Sequence, residues 1–365
     1  MIKNEFHGSD KEAVAARYGI DEKDIISFSS NVNPLGLSEK FKDEMADAVD
    51  CITEYPERDY ASLRKALSCY TGVDPSHILP GNGSTELIGA FIRCFKHPHS
   101  LIVSPAYAEY ERDVRLSGGE IRRYELNEED DFGFCADRLT DAITENTDII
   151  IICNPVNPTS TALSNEGMRS VLKKAQECDA FVLVDETYVE FSDMKKVSSE
   201  GLVREFGNLV VLRSMSKFFS CPGLRLGYAM TKDEYLIEKI NSMRDPWSVS
   251  SYAEKAAIVL LSDTEHMEES REFIAKERNR VCALLDELKG LGLKYYSPCA
   301  NFILCRILKE EKSAGELFDY CIERKLMIRD CTGYGKLDGS FFRFCFMDEK
   351  NNDMLIKTIK DYLLE

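Results

Sequence analysis

The sequence has no long hydrophobic run, no closely paired cysteines, few histidines and no excess of basic charge, and each shortage excludes a class of function. A helix that crosses a bilayer needs about 20 predominantly apolar residues, and no stretch here meets that. The start, Met1-Ile-Lys-Asn-Glu-Phe6, has no apolar segment of the kind that directs secretion, so the expected location is cytoplasmic. The net charge is −17, which argues against nucleic acid and against an anionic membrane as partners, because both select a basic face. That balance does not weigh on small anions, which need only a local positive pocket. Thirteen cysteines are scattered with no C-x-x-C pair, and Cys153, Cys282, Cys305 and Cys345 sit inside apolar runs. They read as small buried hydrophobes in a reducing compartment. Of five histidines only His97-Pro-His99 lie close together, and a loop explains that pair better than a metal does. No metal site is expected. Repeats and low-complexity tracts are absent, and Glu128-Glu-Asp-Asp131 reads as a solvated acidic loop.

What is present describes a globule large enough for two domains, with 365 residues, 44% hydrophobic and 30% charged. Short apolar strands alternate with helical runs across residues 75–235, which calls for an α/β architecture with a mostly parallel sheet. Thr147-Asp-Ile-Ile-Ile-Ile-Cys153 and Ala180-Phe-Val-Leu-Val-Asp185 are continuous apolar runs of the kind buried on both faces. Asn208-Leu-Val-Val-Leu-Arg213 is a third, so Ser214, Ser216 and Lys217 fall on the loop at its carboxyl end, where open α/β sheets bind ligands. In Ile78-Leu-Pro-Gly-Asn-Gly-Ser-Thr-Glu86 a glycine-bearing loop opens a helix, and free amides around Gly83 and Ser84 would seat a phosphate. Asp185, at the end of an apolar strand, needs a partner.

Residues 25–36 read as a strand running into a turn, with Asn33 a plain turn residue, and Ser62 to Tyr70 as a helix. From about Asp233 longer helical patterns take over, including a run from His266 to Leu291. Asn301–Arg306, Met327–Arg329 and Phe341–Phe346 read as strands, with helices near 313–325 and 349–363. The expected division is an arm at 1–36, a large domain at 37–245 and a smaller α+β domain at 246–365. Arg329 and Arg343 lie in otherwise apolar strands, where an arginine is costly unless an anion meets it.

The run from Arg213 to Tyr228 contains S-x-S-K followed by G-x-R-x-G-Y. It resembles the Schiff-base segment of the fold-type I pyridoxal-phosphate enzymes, and the resemblance extends over essentially the whole chain. It implies a large domain with a mostly parallel sheet and a smaller carboxy-terminal domain. It implies pyridoxal 5'-phosphate as cofactor, with Lys217 holding its aldehyde and Ser214, Ser216 and Arg225 on its phosphate, the cup completed by Gly83 and Ser84. An arginine fork suits a phosphate dianion better than a point charge would, and a lysine can hold an aldehyde covalently. By the same resemblance Tyr107 stacks on the pyridine, while Asn157 and Tyr188 meet the phenolic oxygen. Asp185 would hold the ring nitrogen charged, which makes the ring an electron sink. Lys217, Asp185 and Tyr188 are thus the implied catalytic groups. Family members work as homodimers, which implies that Tyr55, in its Tyr-Pro setting, reaches the partner's cofactor phosphate.

Two subgroups share this core, the histidinol-phosphate aminotransferases and the threonine-phosphate decarboxylases of cobalamin synthesis. His7-Gly8, Tyr18-Gly-Ile20 and Ile26-Ser-Phe-Ser-Ser-Asn-Val-Asn-Pro-Leu-Gly36 look like the decarboxylase arm. Pro246-Trp-Ser-Val249, Ile328-Arg-Asp-Cys331 and Leu337-Asp338 point the same way, with departures at Ser9, Ser27 and Lys336. Carried over residue by residue, the pattern implies that His7, Gly8, Asn31, Asn157, Arg329 and Arg343 contact a small phosphorylated amino acid. The implied reaction is decarboxylation of O-phospho-L-threonine or a close relative, and the alternative is transamination of histidinol phosphate. A catalytically silent DNA-binding regulator with the same fold is disfavoured by the acidic balance.

Overall fold

The computed structural model describes residues 10–365, so His7 and Gly8 lie outside the described residues. Its centre is a seven-stranded sheet. The strands run in the order Ile78–Gly81, Gly227–Met230, Leu209–Ser214, Phe181–Asp185, Ile149–Cys153, His99–Ser104 and Glu120–Glu125. Gly227–Met230 is antiparallel to both neighbours, and the five strands from Leu209–Ser214 to Glu120–Glu125 pair in parallel.

The continuous apolar runs are explained by burial from both sides. Ile150, Ile152, Val182, Val184, Leu209 and Val211 face one core, shared with the helix Asn165–Glu177 and the long helix Thr264–Asp286. Ile149, Ile151, Leu183, Val210 and Leu212 face the other, shared with the helices Ser84–Ile92, Ala108–Leu116 and Glu234–Met243. With side chains alternating between two apolar layers, the central strands are apolar on both faces except near their carboxyl ends, where Asp185, Arg213 and Ser214 stand. The charged strand Glu120–Glu125, absent from the sequence reading, is the sheet edge, half in solvent, where polar residues belong.

A four-stranded antiparallel sheet occupies the carboxy-terminal part, in the order Arg329–Asp330, Phe341–Cys345, Phe302–Ile307 and Leu293–Tyr295. Two expectations change here. The single strand expected at 327–329 is divided: Leu326–Met327 pairs in parallel with Ile26–Ser27 of the arm, while Arg329 crosses to stand opposite Arg343. The acidic run at 128–131 is not a free loop. Glu128 is half-buried, accepting hydrogen bonds from Arg306 and from the Tyr296 hydroxyl, each at 2.6 Å, and Asp131 pairs with Lys294 at 2.8 Å. All thirteen cysteines are free thiols, seven of them buried. Among the described residues no helix is long and apolar enough to cross a membrane, and no cluster of three or more metal-ligating side chains occurs.

Candidate active site

At the carboxyl ends of the parallel strands lies a cleft of about 250 Å³. Three consecutive strands deliver its floor, because each ends in a loop that begins there: Cys153 with Asn157, Asp185 with Thr187 and Tyr188, and Ser214 with Ser216 and Lys217. Parallel register puts Cys153 level with Asp185 and Asp185 level with Leu212, so these loops open side by side.

Lys217 donates from Nζ to the Ser30 carbonyl at 2.6 Å. Its ammonium is held down to about 8, chiefly by burial and then by the positive charges of Arg343 and Arg225. Its loop is fastened by Asn33, which is buried and not a plain turn residue. The Asn33 amide nitrogen donates to the Phe218 carbonyl at 2.9 Å and to the Ser270 hydroxyl at 2.8 Å, and its backbone N–H donates to the Lys217 carbonyl at 3.0 Å.

Asp185 is 5% exposed and accepts from Tyr110 at 2.6 Å on one oxygen. The other oxygen accepts from the Thr187 hydroxyl at 2.6 Å and its backbone N–H at 3.0 Å. Tyr188 accepts from the Asn157 amide at 3.4 Å, and burial pushes its phenol well above the ordinary range. Arg343 donates to the Asn157 carbonyl oxygen and, at 2.6 Å, to the Ser29 carbonyl. It is 4% exposed, and its buried Nε has no hydrogen-bond partner among the described residues.

The other end of the cleft is a cup. Ser214 and Ser216 hydroxyls lie 2.9 Å apart, and the helix Ser84–Ile92 points its first turn at the same space. The Arg225 guanidinium lies over Gly83, where an added Cβ would stand 2.4 Å from Nη2, and Gly83 has φ +80°. Only glycine fits there. The Gly83 amide itself donates to the Gly81 carbonyl at 2.8 Å, which corrects the expectation that it is free. Open amides are expected instead at Ser84 and Thr85, which begin the helix and so have no acceptor within it. Two hydroxyls, helix-start amides and an arginine suit a phosphate dianion, and an electron-rich carboxylate beside a lysine of lowered pKa suits the ring and aldehyde of pyridoxal phosphate. The residues fit that cofactor.

Tyr107, at the start of the helix Ala108–Leu116, lines the cleft edge-on to Tyr110, with ring centres 5.7 Å apart. Arg329 opens onto an adjoining chamber that shares Tyr107 and Tyr334 with the cleft, and it donates to the Tyr334 hydroxyl at 3.2 Å. Two expected members are not at the cleft. Asn31, fully buried at φ 55°, sits behind it, its carbonyl held by Asn301 at 2.9 Å. Tyr55 is 81% exposed and packs against the ring of Trp247 with centres 4.8 Å apart. Sequence reasoning missed Tyr110, Thr187, Asn33 and Tyr334. Tyr110 was within reach, since it lies in the first turn of the helix that Tyr107 precedes.

A family model described as aminotransferase class I and II matches residues 23–359. Threonine-phosphate decarboxylase from Salmonella typhimurium is 31% identical over 360 residues, 99% of this chain and 97% of that protein. Histidinol-phosphate aminotransferase 2 from Archaeoglobus fulgidus is 33% identical, over 93% of this chain and 94% of that one. The crystal structure of the histidinol-phosphate aminotransferase from Clostridium acetobutylicum superposes with a TM-score of 0.86 at 33% identity, covering 92% of this chain and 98% of that one. The strand order, the cup and the matched model agree: the chain belongs to the aminotransferase class I and II family, and is a pyridoxal-phosphate-dependent enzyme of fold type I.

Proposed function

We propose that this enzyme decarboxylates O-phospho-L-threonine, or a close phosphoamino acid, to the phosphorylated amino alcohol. The observation that carries this reading is that Arg329 stands directly across from Arg343 in adjacent antiparallel strands, with Arg343 lining the cleft and Arg329 lining the chamber that adjoins it. Directly opposed residues project to one face, and two guanidinium forks on one face suit a substrate with two anionic groups, a carboxylate and a phosphate. The full-length similarity to a threonine-phosphate decarboxylase and the residues of the arm support the same choice.

Pyridoxal phosphate, when bound, supplies a sink for the electron pair left on Cα as one of its bonds breaks. Ser84, Ser214, Ser216 and Arg225 would hold its phosphate, Asp185 would keep the proton on its ring nitrogen, and Asn157 and Tyr188 would meet its phenolic oxygen. Lys217 would be the amine exchanged for the substrate amine; the proton that the substrate ammonium gives up would go to its Nζ, which would then deliver it to Cα in place of the departing carbon dioxide. Arg343, kept rigid by Asn157 and the Ser29 carbonyl, would hold the substrate's carboxylate and so select the bond that breaks. Arg329 would take the second anion, and the resemblance adds His7 and Gly8, which lie outside the described residues, whereas Asn31, buried behind the cleft wall, would support the wall without touching the substrate.

Transamination of histidinol phosphate is the second reading, favoured by the 33% identity to two such enzymes. That substrate has no carboxylate, so its amino group would leave with only its phosphate on the arginines. The test mixes the loaded enzyme with O-phospho-L-threonine in the absence of any keto acid. Carbon dioxide in many-fold excess over enzyme is expected. No carbon dioxide, with amino transfer from histidinol phosphate to 2-oxoglutarate, would replace the first reading by the second.

We also propose a homodimer in which Tyr55 reaches the partner's cofactor phosphate. Its 81% exposure, beside the exposed Ile52 and Trp247, leaves the ring available to a second copy. Tyr55→Phe should weaken pyridoxal-phosphate binding by about tenfold, the worth of one charge-assisted hydrogen bond. Unchanged affinity in an equilibrium titration would remove Tyr55 from the site.

A further inference from the structure

The cup's glycine loop is shaped by two side chains that do not line the cleft. Glu86, in the first turn of the helix Ser84–Ile92, reaches back so that one carboxylate oxygen accepts the Asn82 backbone N–H at 2.5 Å. Its carboxylate lies so close to the loop that a Cβ at Gly81 would meet it at 2.8 Å. Arg244 lies on the far side. Its Nε donates to Glu86 at 2.8 Å, and Nη2 donates to the Pro80 carbonyl at 2.9 Å and to the Ser248 hydroxyl at 2.5 Å. The arginine side chain is 7% exposed. Its segment is anchored again a few residues on, where the Val249 N–H donates to the Tyr60 hydroxyl at 3.0 Å.

We propose that Glu86 and Arg244 are positioning residues for the cofactor's phosphate: together they fix the Pro80–Ser84 backbone so that the Ser84 and Thr85 amides face the cup. Each does part of the work. With its own N–H bonded to Gly81, Gly83 cannot direct the loop by holding the phosphate, so the turn must be set from outside. Glu86 does this by taking the Asn82 amide. A carboxylate one helical turn from a phosphate dianion would, alone, repel it. Arg244 neutralises that carboxylate and ties the loop to residues 244–249. The inference rests on the cofactor's identity and is independent of which of the two reactions follows.

The test compares two ligands that differ only in the phosphate. Cofactor-free protein is titrated with pyridoxal 5'-phosphate and, separately, with pyridoxal. Arg244→Met should weaken pyridoxal-phosphate binding by about tenfold or more, through a carboxylate left unpaired, and leave pyridoxal within about twofold. Glu86→Gln, which keeps an acceptor for Asn82, should lose less. The combined Glu86→Gln, Arg244→Met protein should bind the phosphate ligand better than Arg244→Met alone, because the repelling charge is gone. Should Arg244→Met melt at assay temperature, Arg244→Lys replaces it. That variant keeps the charge without the fork that reaches three acceptors, and should show the same preference at a few-fold. Parallel losses for both ligands, or losses that simply add in the combined variant, would overturn the proposal.

Discussion

A Lys217→Ala enzyme is expected to turn over about 10⁴-fold more slowly or worse, since in the proposed reaction one side chain would serve both as the amine exchanged for substrate and as the proton carrier. The same variant should still bind pyridoxal phosphate through the cup. On borohydride reduction, however, the cofactor should no longer become covalently attached to the chain. Retention of covalent attachment would move the role to another lysine. The lysine's pH behaviour gives a finer check. An ordinary lysine titrates near 10.4, whereas Lys217 is held down to about 8. At pH 7 that leaves about one amine in ten neutral, against roughly one in 2,500 for an ordinary lysine. The fold thus favours the uncharged form, and the reactive population grows as pH rises through the lowered value. Uptake of pyridoxal phosphate by cofactor-free protein should accelerate with pH and level off above about 8. A rate still climbing at pH 10 would show that burial beside Arg343 does not set this group's chemistry.

Asp185→Asn is expected to lower turnover by about three orders of magnitude, as for other groups preorganised against charge at a reacting centre. The carboxylate accepts three hydrogen bonds, from Tyr110 and from the hydroxyl and N–H of Thr187, so both its oxygens are fixed before any ligand arrives. An amide offers one acceptor oxygen, so its NH₂ would either meet the Thr187 N–H as donor against donor or make the Tyr110 hydroxyl turn and accept. More important, a neutral amide cannot favour the protonated ring nitrogen. Loading the variant with a cofactor methylated on that nitrogen, which is positive at any pH, should recover part of the loss. Turnover within a few-fold of wild type, or no recovery with the methylated cofactor, would remove the aspartate from this role.

Much of the architecture was legible because it depends on short-range periodicity. Ile149–Cys153 and the first four residues of Leu209–Ser214 are apolar at consecutive positions, which only a strand covered on both faces tolerates; Asp185 ends such a strand, and the loops carrying Asn157, Tyr188 and Lys217 follow such strands directly. In a parallel sheet every strand end of that kind opens on the same side, so local order along the chain becomes proximity in space. The edge strand Glu120–Glu125 escaped notice because its half-solvated residues lack that pattern.

What the sequence by itself determined was therefore the central buried strands of the large sheet, the loops that leave their carboxyl ends, and which residue types stand on those loops. The tertiary structure alone decided how those groups are held. Asn33 looked like a turn residue, yet its amide bonds to positions 218 and 270; Glu128 looked solvated, yet it meets Arg306; Arg244 carried no signal, yet it braces the loop at 80–86. The reason is physical. Burial of apolar side chains is written in local spacing, but a buried polar group must be satisfied by whichever donor or acceptor the fold brings within about 3 Å, and that partner can lie anywhere along the chain.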